Sequence, residues 1–166
     1  DTIDLETAIQ MKKAGCELVS IGVESGNQEM LDKINKRIKL EEIRGAFRIF
    51  KEAGLKTLAY YLIGLPWDTK ETVEDTINFA IELDSDFASF FAVAPLPGTT
   101  FFEYAIKNKL LGDAANGKDA GSYKDAFCLP TVRGHNLGAE DIASLQRAAF
   151  RRFYIRPKYI FRRLLS

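Results

Sequence analysis

The sequence predicts an α/β protein built on a parallel sheet, and two observations carry that prediction. Three apolar runs of strand length, at 18–23, 57–63 and 87–93, alternate with helical patterns. The phrases Lys13-Ala14-Gly15 and Glu52-Ala53-Gly54 recur 39 residues apart at equivalent places. Strands that are apolar on both faces belong in a sheet covered by helices, because a face open to water would alternate polar and apolar positions. Right-handed crossovers join such strands into an open doubly wound sheet or into part of a barrel. Three strong strands are too few for a complete eight-stranded barrel, which takes about 250 residues.

Each element has a local reason. Residues 5–14 read as a helix that stops at Gly15, and the strand at 18–23 follows. Residues 40–53 place Leu40, Ile43, Phe47 and Phe50 on one helical face, with Gly54 after the end. The strand at 57–63 comes next. Asp68 and Glu71 then resemble a capping box that opens a helix running to about Leu83, and 87–93 is the third strand. From about Lys109 to Asn136 the composition turns to Gly, Asp, Asn and Ser without a period, which reads as a long surface loop. Ile142, Leu145, Ala149 and Phe153 restore helical spacing over 139–155, and Pro157 suits the first turn of a last helix reaching Leu165.

The 166 residues, 46% hydrophobic and 28% charged, have the balance of a soluble globular protein. No run approaches the roughly 18 apolar residues of a membrane span, and there is no basic, apolar, small-residue leader pattern. The chain starts at Asp1 and enters a helical pattern almost at once, so it reads as a piece of a longer protein. Its 23 basic and 23 acidic residues cancel, but residues 151–166 hold six basic residues and no acid, so an acidic body ends in a basic tail. Cys16 and Cys128 lie far apart and form no Cys-x-x-Cys pair, which suggests neither a disulfide framework nor a zinc site and fits a reducing, cytoplasmic setting.

Ligands of parallel α/β folds gather at the C-terminal ends of the strands, where successive loops share one rim. That rule selects residues 22–26, 63–68 and 94–99. Glu24 directly follows an apolar strand, where a carboxylate is costly unless it meets a polar mouth or a partner. It can accept hydrogen bonds from two vicinal ribose hydroxyls, or it can pair with a neighbouring Lys or Arg, or cap the helix beginning near Asn27. Gly64 permits the close approach of a flat ligand, or eases the turn before Pro66. Pro95, Pro97 and Gly98 suit a rigid turn. His135 is the sole histidine and suits the surface, and Tyr60, Tyr61, Phe90 and Phe91 suit the core.

Taken in order, Gly22-Val23-Glu24-Ser25-Gly26-Asn27, Met30-Leu31-Asp32-Lys33-Ile34-Asn35-Lys36, Ile63-Gly64-Leu65-Pro66 and Pro95-Leu96-Pro97-Gly98-Thr99 resemble the C-terminal half of the radical S-adenosylmethionine (radical SAM) domain. The resemblance covers about residues 1–105. Residues 154–160 further resemble the C-terminal helices of the branch that carries an N-terminal cobalamin-binding domain. The resemblance implies a partial (βα) TIM-like barrel with about three parallel strands plus C-terminal helices. Its parts are a barrel half at 1–108, an irregular surface loop at 109–136 and a helical extension with a basic tail at 137–166.

In that family a Cys-x-x-x-Cys-x-x-Cys loop holds a 4Fe-4S cluster, and S-adenosylmethionine bound to the cluster is cleaved to methionine and a 5′-deoxyadenosyl radical. The branch implies cobalamin and methyl transfer. Carried over by motif, Glu24, with Ser25 beside it, binds the ribose hydroxyls. Leu62 and Gly64 flank the adenine, and the backbone near Val93 and Ala94 meets its edge. The three-cysteine loop is absent, so the piece itself is expected to lack the cluster and to be inactive. Trp67 stands where many relatives have Gly or Glu, a place from which it can shape a substrate pocket. The implied partners are a small-molecule or lipid-like substrate and an electron donor such as flavodoxin. A cluster-free α/β module that binds a nucleotide or a protein is the competing reading. The basic tail reads as a helical face whose Phe, Tyr, Ile and Leu pack on the body rather than as a nucleic-acid or membrane patch.

Overall fold

A computed structural model describes residues 3–111 and 132–165. Three parallel strands, β1 (Leu18–Glu24), β2 (Lys56–Ile63) and β3 (Phe87–Ala92), lie in the order of the chain. Helices α1 (Leu5–Lys13), α2 (Gln28–Lys33), α3 (Leu40–Glu52), α4 (Lys70–Leu83) and α5 (Thr100–Lys107) fill the connections, and α6 (Ala139–Tyr154) and α7 (Pro157–Leu164) close the described chain. The sequence reading therefore holds for the strands and most helices. It did not mark α5, which Thr99 opens by accepting a hydrogen bond from Phe102 N on its hydroxyl at 3.2 Å. Most of the long loop, and Cys128 within it, lies outside the described residues; its ends meet in an antiparallel bridge between Leu111 and Val132.

The cap of α4 departs from expectation. Thr69 and Thr72, one residue later than Asp68 and Glu71, exchange the reciprocal bonds: Thr72 N donates to Thr69 Oγ1 at 3.3 Å, and Thr69 N donates to Thr72 Oγ1 at 3.0 Å. Asp68 is thereby freed for the loop before the helix.

Among the described residues, helices cover one face of the sheet only. Val23, Ala59, Tyr61, Ile63, Phe90 and Ala92 are buried there, together with Ile77, Ala80, Ile142 and Phe153 from α4 and α6. Tyr61 and Phe90 stack with ring centroids 5.0 Å apart. The larger apolar side chains among them, Val23, Ile63, Ile77, Phe90, Ile142 and Phe153, contribute about 1.5–3 kcal/mol each from apolar transfer. The other face carries Leu58, Tyr60, Leu62, Ser89 and Phe91, each half-buried, and Tyr60 and Phe91 meet there at 5.8 Å. The strands are apolar on both sides as expected, but the second side is the inner wall of a partial barrel rather than a bed for helices.

β3 is an edge strand, and α6 covers its free polar groups. The Tyr154 hydroxyl accepts from Ala88 N at 3.0 Å and donates to Ala88 O at 2.8 Å, and Gln146 Nε2 donates to Phe90 O at 2.8 Å. An uncovered strand edge would invite pairing with another chain.

The basic tail packs only in part as expected. Phe153 and Tyr159 are buried, but Phe161 and Leu164 face outward, 65% and 75% exposed. The arginines turn inward instead. Asp84, at the end of α4 with a left-handed φ of 48°, lies against Arg156, Lys158 and Arg162 at 3.3, 3.0 and 3.1 Å. Arg163 donates to the backbone oxygen of Asp86 and lies over the Phe87 ring. Acidic ends of α4 and β3 select the charged side of α7, because desolvated carboxylates need cations more than apolar groups need cover.

Candidate cofactor cleft

The three rim segments converge where the strands end. β1 closes with a bulge: Gly22 pairs with Tyr60 and Glu24 with Tyr61, so Val23 is the extra residue. Glu24 itself has φ 68°, a left-handed conformation that costs a non-glycine residue roughly 1–2 kcal/mol. Its carboxylate folds back over Gly22, where a Cβ would lie 2.5 Å from Oε1. Lys36 Nζ donates to that oxygen at 3.0 Å. Lys36 is presented by a turn whose flanking residues, Asn35 and Arg37, are both left-handed, at φ 57° and 55°. Three strained non-glycine residues thus serve one ion pair, and backbone strain of this kind collects at ligand sites.

The pair opens on a cleft of about 630 Å³, within the range of about 300–1,000 Å³ typical of small-molecule sites. Leu62 and Val93 form its floor, and Lys33, Trp67 and Tyr104 its far wall. Of the residues expected at a cofactor, Glu24, Leu62 and Val93 line the cleft. Ser25 does not. It is buried against α4, its hydroxyl 3.1 Å from Thr76 Oγ1 and accepting from Asn27 N, and Gly26 N donates to the same Thr76 oxygen. Ala94 is half-buried beside the rim. Gly64 has φ +88°, and the space beside its Cα is filled by Ile142 of α6, whose Cδ1 would lie 2.8 Å from a Cβ. Helix packing, rather than room for a ligand, is therefore what its missing side chain provides.

Asp68 shapes the rim loop. Its Oδ2 accepts from Gly64 N at 3.0 Å and Leu65 N at 2.8 Å, and its Oδ1 accepts from Thr72 Oγ1 at 2.7 Å. Burial raises its carboxyl above the ordinary value, outweighing the three hydrogen bonds that favour the anion. His135 is exposed as expected, yet it has a place at the rim: its backbone N donates to Pro66 O at 2.8 Å, and Nε2 lies 2.9 Å from the Tyr104 hydroxyl. Sequence reasoning placed Asp68 in a rim segment but read it as a helix cap, and it missed Lys36 and Tyr104 as rim residues. Lys36 lies inside a motif already singled out, and its signal was the need of Glu24 for a counter-charge.

A much smaller cavity of about 80 Å³ lies at the opposite strand ends, between Thr57, Asp86 and Arg162, and belongs to the packing of the tail. Among the described residues no three His, Cys, Asp or Glu side chains converge to hold a metal ion, and no helix is long and apolar enough to cross a membrane.

Residues 1–80 match the model of the Radical SAM superfamily. An uncharacterized methyltransferase of Pyrococcus horikoshii is 36% identical over 162 residues, which cover 98% of this chain and 34% of that protein. The chain thus spans about a third of the length of this relative. Coproporphyrinogen III oxidase of Escherichia coli, described as a radical SAM enzyme, superposes with a TM-score of 0.62 at 22% identity, over 92% of this chain and 29% of the other. The radical S-adenosylmethionine methyltransferase TsrM of Kitasatospora setae, solved with cobalamin and a 4Fe-4S cluster bound, superposes with a TM-score of 0.53 at 26% identity, over 58% of this chain and 18% of the other. The three parallel strands and their helices match half of a radical SAM barrel. Family model and relative thus make this chain similar to the radical SAM superfamily, and the solved structures share its fold.

Proposed function

We propose that the cleft is the S-adenosylmethionine site of a radical SAM enzyme and that these residues bind the nucleoside part of the cofactor. The observation that carries this reading is Glu24, a carboxylate held at the strand end in a strained left-handed conformation, over a glycine and beside an apolar floor. A carboxylate can accept from both ribose hydroxyls, as acidic residues do in dinucleotide sites. Leu62 and Val93 offer apolar contact to a flat base, the backbone of Gly64 and Ala94, next in the chain to the cleft residues Leu65 and Val93, would border it, and Ser25 positions Glu24 through its bonds to α4. Lys36 neutralises the Glu24 carboxylate. When bound, S-adenosylmethionine with a reduced 4Fe-4S cluster supplies the 5′-deoxyadenosyl radical. The described residues contain no cluster-binding constellation, so on this reading its ligands come from elsewhere in the whole protein and the 166-residue chain alone is inactive.

The likeness to a cobalamin-bound methyltransferase and to a relative named as a methyltransferase supports a finer reading, a cobalamin-dependent methyl transfer to a small molecule. To that reading we add, from the family resemblance alone, a cytoplasmic setting and a flavodoxin-like electron donor. Anaerobic reconstitution of the whole protein tests the core reading. It should take up an oxygen-sensitive 4Fe-4S cluster and release 5′-deoxyadenosine. Failure of both, with nucleotide binding intact, would leave a cluster-free binding module instead.

A further inference from the structure

Resting on the reading of the cleft as a cofactor site, we propose that its far wall, Trp67 and Tyr104 with Lys33 at the edge, is the substrate side and takes a flat conjugated ring system that carries a carboxylate. None of these three side chains is needed by the Glu24 end of the cleft, and together they form a surface of a different kind. The Trp67 and Tyr104 rings meet at 5.4 Å with their planes inclined by 56°, and Phe101 extends the aromatic surface along α5. Both rings pack on the small core around Leu65 and Leu110 yet stay only half-buried, and what they leave exposed lines the cleft.

The wall is preorganised by a strap from the far end of the chain. His135 accepts or donates at the Tyr104 hydroxyl, 2.9 Å away, with its ring edge-on to the phenol at 6.1 Å. The strap is itself fixed to the Trp67 loop: His135 N donates to Pro66 O, Asn136 Nδ2 donates to Asp68 O at 3.2 Å, and a Cβ on Gly134 would lie only 3.2 Å from Pro66 O. Rings held in this way lose little freedom on binding. His135 is therefore a positioning residue, and the wall would be a poor surface for an adaptable aliphatic chain compared with a rigid plane.

Charge selects the substituent. Two lysines line the cleft, and Lys36 is committed to Glu24, which is only 22% exposed. Among the described residues Lys33 pairs with Glu29, a side chain 68% exposed and one turn back on the same helix, and such surface pairs are weak. Its ammonium lies 5.7 Å from the centre of the Trp67 ring, at the margin of the wall. A carboxylate projecting from a ring on Trp67 meets that ammonium.

The test uses the whole protein with 1-pyrenebutyrate, a flat fluorescent carboxylate, and hexadecanoate as its saturated counterpart, while S-adenosylhomocysteine binding is measured in parallel. Saturable pyrenebutyrate binding should weaken about tenfold in Tyr104→Ala and about threefold to fivefold in Lys33→Met, and hexadecanoate should compete poorly. His135→Ala should weaken it about threefold and His135→Gln, which can still hydrogen-bond Tyr104, should restore it. Tyr104 helps to bury the small core around Leu65 and Leu110, so Lys33→Met and Tyr104→Phe, which remove less packing, keep the test decisive should Tyr104→Ala fail to fold; Tyr104→Phe, which loses the bond to His135, should weaken binding about as much as His135→Ala. Unchanged pyrenebutyrate affinity in these variants, or equal competition by hexadecanoate, overturns the proposal while S-adenosylhomocysteine binding leaves the cofactor reading standing. An equal loss of both ligands in Tyr104→Ala also overturns it, because the wall would then belong to the nucleoside. Loss of S-adenosylhomocysteine binding from the unaltered protein removes the cofactor reading and this proposal with it.

Discussion

The Lys36 ammonium lies 3.0 Å from Oε1 of Glu24, with the Lys36 side chain 34% exposed and the Glu24 side chain 22%. The pair sits where the cleft begins, and both members depend on left-handed backbone to reach it. Glu24→Ala in the whole protein should weaken S-adenosylhomocysteine binding by about 1.5–3 kcal/mol, the value of a charged hydrogen-bond acceptor, or roughly tenfold to 150-fold. Lys36→Met should weaken it less and should make the remaining affinity more sensitive to salt. Titration calorimetry on both variants checks this, and an unchanged dissociation constant in Glu24→Ala removes the carboxylate from the site.

Asp68 makes a prediction about pH. Its carboxyl is raised above 3.8 by burial, so the folded protein holds that proton more tightly than the unfolded chain does. The stability it contributes is then fully present below pH 3.8 and is lost as pH rises through the raised folded value. Asp68→Asn keeps an amide oxygen for Gly64 N and Leu65 N but does not titrate. The stability difference between wild type and variant should therefore favour wild type most at acid pH and shrink as pH rises. Glu74 and Glu82, held low by Arg152 and Arg44, pull the overall curve the other way, so the comparison must be between the two proteins at each pH. Urea midpoints from pH 3.5 to 7.5 measure it, and a constant difference refutes the assignment.

Asp84 joins α4 to the tail. Its side chain is 9% exposed and faces Arg156, 13% exposed, with Lys158 and Arg162 beside it. Asp84→Asn keeps a residue that tolerates the left-handed backbone and removes only the charge. The cations lose their counter-charge in a half-dry site, which should cost about 3 kcal/mol. Urea denaturation gives the cost, and trypsin should cut within α7 faster in the variant.

The strands were legible because apolar runs of fixed length, punctuated by Gly15 and Gly54, leave few alternatives. Which strand face met helices was not legible, since Tyr60 and Tyr61 are identical in type and differ only in the side to which pleating sends them. The outward turn of Phe161 and Leu164 was not legible for a related reason. The tail's apolar residues were read together as packing on the body, and the competing pull of Asp84 and Asp86 on its arginines comes from positions some 75 residues earlier in the chain. In the site, Glu24 could be picked out as a carboxylate at a strand end. Lys36 and the Tyr104–His135 contact depend on turns and a strap that only the folded backbone brings together.

Gly64 gives a prediction in which two costs separate. Its φ of +88° disfavours any residue with a Cβ, and that Cβ would also strike Ile142 of α6 at 2.8 Å. Gly64→Ala should destabilise by about 1–2 kcal/mol for the backbone and about 1–3 kcal/mol for the clash. Ile142→Ala, which alone opens a cavity in the core at a cost of about 2–5 kcal/mol, removes the clash but not the strain. The double variant should therefore be more stable than the sum of the single losses predicts, by roughly the clash energy of 1–3 kcal/mol. Strict additivity in urea unfolding would show that backbone conformation alone requires the glycine. Because Asp68 Oδ2 accepts from Gly64 N and Leu65 N, a shift of this residue should also move the rim loop. S-adenosylhomocysteine affinity should accordingly fall in Gly64→Ala and recover in part in the double variant.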